Sequence, residues 1–154
     1  METIYLIIPG KISDSFTGIV KIATENCQLT IVKTTEDLPA LKNKKIIFAI
    51  ELDECGFNIP LFEMFLKLKE RGDDALLYSR AVIIIQSSSQ LFTKSTAQKI
   101  IFLTNQMGCR FPGHSAVEAT RNLNNFITWQ KTFNLPHLEI YKEQTKELVK
   151  KLTE

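Results

Sequence analysis

Three cysteines, two histidines, six glycines and five prolines among 154 residues are all this chain has, and each scarcity removes a class of function. Cys27, Cys55 and Cys109 are odd in number and form no Cys-x-x-Cys, which argues against a disulfide framework or a zinc-thiolate site. His114 and His137 are too few for a metal centre, so no metal is expected, and His114 between Gly113 and Ser115 reads as a turn residue. Gly-x-Gly-x-x-Gly is absent, as is the Gly-x-Ser-x-Gly of a nucleophile elbow. Gly10-Lys11 lacks the rest of a phosphate loop, since Tyr5 stands five residues earlier and Ile12 follows the lysine. Ile8-Pro9 holds the place where a phospho-receiver domain needs acids. No apolar run approaches the roughly 20 residues that span a bilayer. Ile4 to Ile8 lacks the basic flank and cleavage site of a signal peptide. A net charge of +2 supplies no strong field. The expectation is a cytoplasmic protein without nucleic-acid or membrane partners.

What the chain does have is hydrophobic periodicity. With 44% hydrophobic and 23% charged residues it matches an ordinary globular chain, and its length suits one domain, residues 1–154. Ile4-Tyr5-Leu6-Ile7-Ile8 is a near-continuous apolar run, as in a strand covered on both faces. It stops at Pro9-Gly10. Ser13 or Asp14 can then cap a helix whose Phe16, Ile19, Val20 and Ala23 share one face, ending near Asn26. Gln28 to Lys33 alternates and reads as a half-exposed edge strand.

Thr34 to Asn43, with Pro39 inside, is short for a parallel crossover; a helical turn around Glu36 to Leu41 is expected there. Ile46 to Ile50 is a third strand. After a loop from Glu51 to Asn58, Pro60 suits the first position of a helix with Leu61, Phe62, Phe65, Leu66 and Leu68 as its apolar face and Gly72 as its stop. Ala81 to Ile85 forms a fourth strand, Gln86-Ser87-Ser88-Ser89-Gln90 a polar loop, and Lys94 to Met107 a helix ended by Gly108. Strand five is expected from Cys109 to Phe111, resuming around Ser115 to Glu118. Asn122 to Phe133 is helical in spacing, with Trp129 read as packing. Pro136 starts a final helix, residues 136–152, that buries Leu138, Tyr141, Leu148 and Leu152. Its Lys142, Lys146, Lys150 and Lys151 alternate with Glu139, Glu143 and Glu147 as a solvated, self-compensating face.

Strands alternating with helices predict an α/β, three-layer, doubly wound sheet of five parallel strands. A right-handed crossover and an exposed second strand give the order 2-1-3-4-5, with a core over residues 3–133 and an extra carboxyl-terminal helix. One face under the short second crossover should be thinly covered, which predicts that the final helix or a second copy in a homodimer covers it. The order reverses between strands one and three, where ligands bind in such sheets. Three loops meet there: Pro9 to Ser15, Glu51 to Phe57, and Gln86 to Thr93. The first sets Lys11, Ser13, Asp14 and Ser15 before a helix, which suits either plain capping or a phosphate cradle.

Over residues 3–118 the chain resembles the flavodoxin-like fold, and within it the NADPH-dependent FMN reductases. That family wraps the flavin phosphate with a Ser-Pro-Arg…Gly-Asn-Ser/Thr segment after strand one. Here the matching stretch is Pro9-Gly10-Lys11-Ile12-Ser13-Asp14-Ser15, with Asp14 where the family has Asn. The second loop, Glu51-Leu52-Asp53-Glu54-Cys55-Gly56-Phe57, lacks the family's Pro-x-Tyr pattern and carries three acids. The third, Ser87-Ser88-Ser89-Gln90, is similar in polarity but has no glycine.

The resemblance implies a flavoprotein that binds FMN and moves electrons or hydride between NAD(P)H and an acceptor. Lys11, Ser13, Asp14 and Ser15 would lie at the phosphate, with Phe57 and Ser87, Ser88, Ser89 and Gln90 framing the ring. No side chain is required as acid or base, and the catalytic set is empty. Asp14 and the acidic second loop favour the alternative, a non-catalytic relative that keeps the fold, has lost FMN, and serves in dimerisation or partner binding. An enzyme on a phosphorylated metabolite would need a base that the sequence does not supply.

Overall fold

A computed structural model of the chain describes residues 2–87, 92–112, 116–120 and 137–154. Four helices and a parallel sheet make up the described fold. The elements are β1 (Ile4–Ile7), α1 (Asp14–Ala23), β2 (Leu29–Val32), β3 (Lys45–Leu52), α2 (Ile59–Glu70), β4 (Arg80–Ser87), α3 (Thr93–Gln106), β5 (Ala116–Thr120) and α4 (His137–Thr153). The sheet is ordered β2-β1-β3-β4-β5, with every pairing parallel.

Period-two alternation divides the strand residues between two cores. Ile46, Phe48, Ile50, Ala81, Ile83 and Ile85 face α2 and α3. Ile4, Leu6, Ile47, Ala49, Val82 and Ile84 face α1 and α4. Both sets are fully shielded, which is why β3 and β4 read as unbroken apolar runs. On β2, Ile31 is 53% exposed while Val32 is buried, as an edge strand requires.

Several expectations are corrected. Residues 34–37 form a turn closed by Thr34 and Asp37, with no helix following; Pro39 has no N–H to continue one. The connection nevertheless covers its face of the sheet, because Leu38 and Leu41 are buried and the Arg71 guanidinium donates to the carbonyls of Pro39 and Leu38. The final helix packs instead on the opposite face, with Leu148, Val149 and Leu152 buried beside α1. Leu138 and Tyr141 lie outside the residues whose side chains are described.

On α2, Met64 replaces Phe62 and Leu66 in the buried face. Leu61, Met64, Phe65 and Leu68 fall at true helical spacing, and Phe62 and Leu66 turn outward. Asn58 caps this helix, and Pro60 is its second residue rather than its first. Cys109 to Phe111 makes only an isolated bridge, Arg110 to Arg80, before strand β5 begins at Ala116. The expected helix over residues 122–133, His114 and Trp129 lie outside the described residues. Among the described residues, no helix is long and apolar enough to cross a membrane, and no cluster of His, Cys, Asp or Glu is placed to hold a metal.

Candidate functional site

At the carboxyl end of the sheet, the β1–α1 loop and the β3–α2 loop diverge and leave a crevice of ≈ 510 Å³ lined by Gly10, Lys11, Ser13, Glu51, Phe57 and Ile59, among others. That volume lies within the usual range of small-ligand sites. A second hollow, ≈ 560 Å³, lies at the amino-terminal end of the sheet beside Glu2, Cys27, Lys45 and Lys150. Ligands of parallel sheets bind at carboxyl ends, so the first crevice is the candidate.

Asn58 fixes the crevice walls relative to each other. Its side-chain oxygen accepts from Leu61 N at 2.9 Å, while its amide donates to the carbonyls of Pro9 at 3.1 Å and Glu51 at 3.0 Å. One buried side chain thus ties three elements together. Gly10 takes φ +77°, and a Cβ there would stand 3.3 Å from Pro60, so only glycine suits this approach of the two loops.

At the start of α1, Ser13 is the N-cap and Asp14 the first helical residue. Asp14 therefore acts through its charge on the helix dipole rather than as the cap. The Ser13 side chain accepts from Phe16 N at 3.3 Å. The decisive contact reaches across the crevice. Ser13 N–H donates to one Glu51 carboxylate oxygen at 2.5 Å, and its hydroxyl donates to the other at 2.7 Å. Gln86, the register partner of Glu51 on β4, donates to that second oxygen at 3.2 Å. Glu51 thus belongs to β3 and Gln86 to β4, not to the loops in which the sequence reading put them. Both side chains continue the row of alternate residues that faces α1.

The β3–α2 loop is held rigid by Asp53, whose carboxylate accepts from Cys55 N and Phe57 N, each at 2.9 Å. Gly56, at φ +82°, lies so close to Phe92 that a Cβ would fall 2.8 Å from its Cγ. Phe57 stacks with the same residue, with ring centroids 6.3 Å apart and planes 20° from parallel. Both rings are exposed, Phe57 by 56% and Phe92 by 49%. Phe92 itself has φ +78°, a left-handed backbone that costs an ordinary residue on the order of 1–2 kcal/mol.

Of the residues singled out from sequence, Lys11, Ser13 and Phe57 line one crevice, and Ser15 touches Ser13 at 3.1 Å between hydroxyls. Ser87 lies in β4, buried, and is not a loop residue. Ser88, Ser89 and Gln90 lie outside the described residues. Glu51, Gln86, Asn58 and Phe92 went unrecognised as site residues. Extending the alternation of β3 and β4 by one step would have found the first two.

The chain matches no known sequence family, and its sequence matches no curated protein; membership of the FMN reductases is therefore not established. Solved structures do resemble it. A flavodoxin, WrbA-like protein from Agrobacterium tumefaciens superposes with a TM-score of 0.63 at 14% identity, covering 99% of this chain and 98% of that one. Flavodoxin 1 from Bacillus cereus gives 0.59 at 13%, covering 97% and 98%. A variant flavodoxin from Fusobacterium nucleatum, bound to flavin mononucleotide, gives 0.63 at 10%, covering 99% and 96%. The chain has the flavodoxin-like fold.

Flavin mononucleotide, the ligand of the Fusobacterium nucleatum neighbour, has a planar ring and a phosphate. Phe57 lines the crevice and stacks with Phe92 beside it, which offers a planar ring an aromatic face. The start of α1 does not suit a phosphate as it stands, because Ser13 already gives its N–H and its hydroxyl to a carboxylate of the chain.

Proposed function

We propose that this chain is a flavin-binding protein, its ligand lying along the crevice with the isoalloxazine against Phe57 and Phe92 and the polyol end toward Ser13, Ser15 and Lys11. The observation that carries this reading is the aromatic pair. Two exposed, near-parallel rings stand beyond the carboxyl ends of β3 and β4, one of them on left-handed backbone. Aromatic faces suit flat heterocycles.

A bound flavin would supply hydride or electron transfer between NAD(P)H and an acceptor. The chain's own contribution is binding and orientation. Asn58 and Asp53 hold the walls still, and Gly56 lets Phe92 approach the β3–α2 loop. No residue is asked to move a proton.

The test is direct. Purified protein carries a flavin absorbance band, or excess FMN or riboflavin raises its melting temperature, since a ligand of the native state stabilises it by mass action. Protein that stays colourless and unshifted by both overturns the reading. The Ser13–Glu51 contact favours the second reading, a non-catalytic protein of this fold that binds a partner through the same surface; that outcome would leave it standing.

A further inference from the structure

Three donors at the start of α1 already have partners. Ser13 has one hydroxyl proton, and it points to Glu51 at 2.7 Å. The contact between the Ser13 and Ser15 hydroxyls, 3.1 Å, must then be donated by Ser15. The two lone pairs of Ser13 Oγ accept from Ser15 and from Phe16 N. Ser13 N–H is bound to Glu51 at 2.5 Å. Two hydroxyls and one amide are thus committed, while the N–H groups of Asp14 and Ser15 have no acceptor within the helix, and the group already seated at this terminus is itself an anion.

We propose that Glu51 is a built-in occupant of this helix terminus, and that the crevice selects an uncharged ring–polyol ligand over its phosphate ester. The inference rests on the flavin reading above for the identity of the ring. Its physical basis is independent of that reading. A phosphate arriving at Ser13 must displace a carboxylate held by Ser13 and Gln86 or share the terminus with it, and in either case the Glu51 charge stays beside it on the same strand end. A neutral polyol instead finds in Glu51 an acceptor for its own hydroxyls.

The experiment titrates riboflavin and FMN, by quenching of flavin fluorescence, into the parent, Glu51→Ala and Glu51→Gln. The parent should bind riboflavin about tenfold more tightly than FMN, an effect of the size expected for one like-charge contact near a surface. Glu51→Ala should reverse that ratio by strengthening FMN while changing riboflavin by less than about threefold. Glu51→Gln, which keeps the shape and removes the charge, should move the ratio in the same direction. A parent that binds FMN as tightly as riboflavin, or variants that leave the ratio unchanged, overturns the proposal.

If neither flavin binds any of the three, the flavin reading fails and inorganic phosphate decides the role of Glu51. Phosphate should raise the melting temperature of Glu51→Ala and not that of the parent. Equal responses would show that Glu51 excludes nothing.

Discussion

Ser13 and Glu51, 38 positions apart in sequence, hold each other by two hydrogen bonds, 2.5 Å from the serine amide and 2.7 Å from its hydroxyl. The contact joins the start of α1 to the end of β3 and makes one residue both helix cap and cross-sheet anchor. Replacing Ser13 by Ala removes a cap worth about 1 kcal/mol together with its share of the Glu51 contact. In a double-mutant cycle with Glu51→Ala, read by urea unfolding, the two losses should fall short of additivity by about 0.5–1 kcal/mol. Strict additivity would mean that the pair contributes nothing to stability.

Phe92 offers a test that separates stability from function. Its φ of +78° suits glycine far better than phenylalanine. Phe92→Gly should therefore leave the unfolding free energy within about 1 kcal/mol of the parent, because relief of backbone strain offsets the lost ring contacts. The same change should weaken flavin binding by about tenfold or more, the scale of a lost aromatic contact. Gly56→Ala should do the opposite to stability. A Cβ at φ +82°, 2.8 Å from Phe92 Cγ, costs about 1–2 kcal/mol and displaces the same ring. Undiminished binding in both variants would remove the aromatic pair from the site.

The homodimer expected from the short crossover is now a proposal about α2. Leu38 and Leu41 cover the sheet, but Leu66 is 66% exposed on the outer face of α2 with Phe62 beside it, and Ile59, exposed to the same degree, continues the stripe to the rim of the crevice. A second copy would bury that stripe. Sedimentation of the parent at high concentration should show a dimer, and Leu66→Glu a monomer of unchanged stability, since the side chain touches little in its own chain. A parent that sediments only as a monomer ends the proposal.

The sheet was legible because burial on both faces leaves unbroken apolar runs: Ile46 to Ile50 and Ala81 to Ile85 admit no other reading. The strand ends were not legible. Glu51, Gln86 and Ser87 look like loop residues by polarity, and Leu52 is isolated between Glu51 and Asp53, yet the ladder from β3 to β4 continues through Leu52 and Ser87. Backbone pairing does not depend on side-chain polarity, so a polar residue at a strand's carboxyl end is invisible to a hydrophobicity pattern. The site was missed for the same reason. Ser13 was found as a cap, a local signal, whereas its partner lies on another element and no spacing rule connects them. On α2 the error was of a different kind: Phe62 and Leu66 are apolar without being buried, and composition does not reveal which way a helix is turned.

Cys109 connects the core to a measurable pH dependence. Its side chain is 3% exposed, and burial pushes the thiol up from 9.0 to about 12. Below pH 9 the folded and unfolded chains both keep the proton, and stability does not vary with this group. Between pH 9 and about 12 the unfolded chain releases the proton and the folded chain retains it. The unfolded state then binds fewer protons, so stability falls as pH rises, by up to about 1.4 kcal/mol per pH unit from this group. Urea midpoints measured between about pH 8 and 10.5 should decline more steeply for the parent than for Cys109→Ala, which lacks the titrating thiol. The difference in slope is the quantity to read, because every other ionisable group is common to both proteins and the cavity left by the substitution shifts only the offset. Over the same range, iodoacetamide should label the exposed Cys55 in the folded protein and reach Cys109 only on unfolding. Parallel slopes, or labelling of Cys109 at the rate of Cys55, would place that thiol in contact with solvent and contradict the packing of Met107 and Cys109 against the α2–α3 face of the sheet.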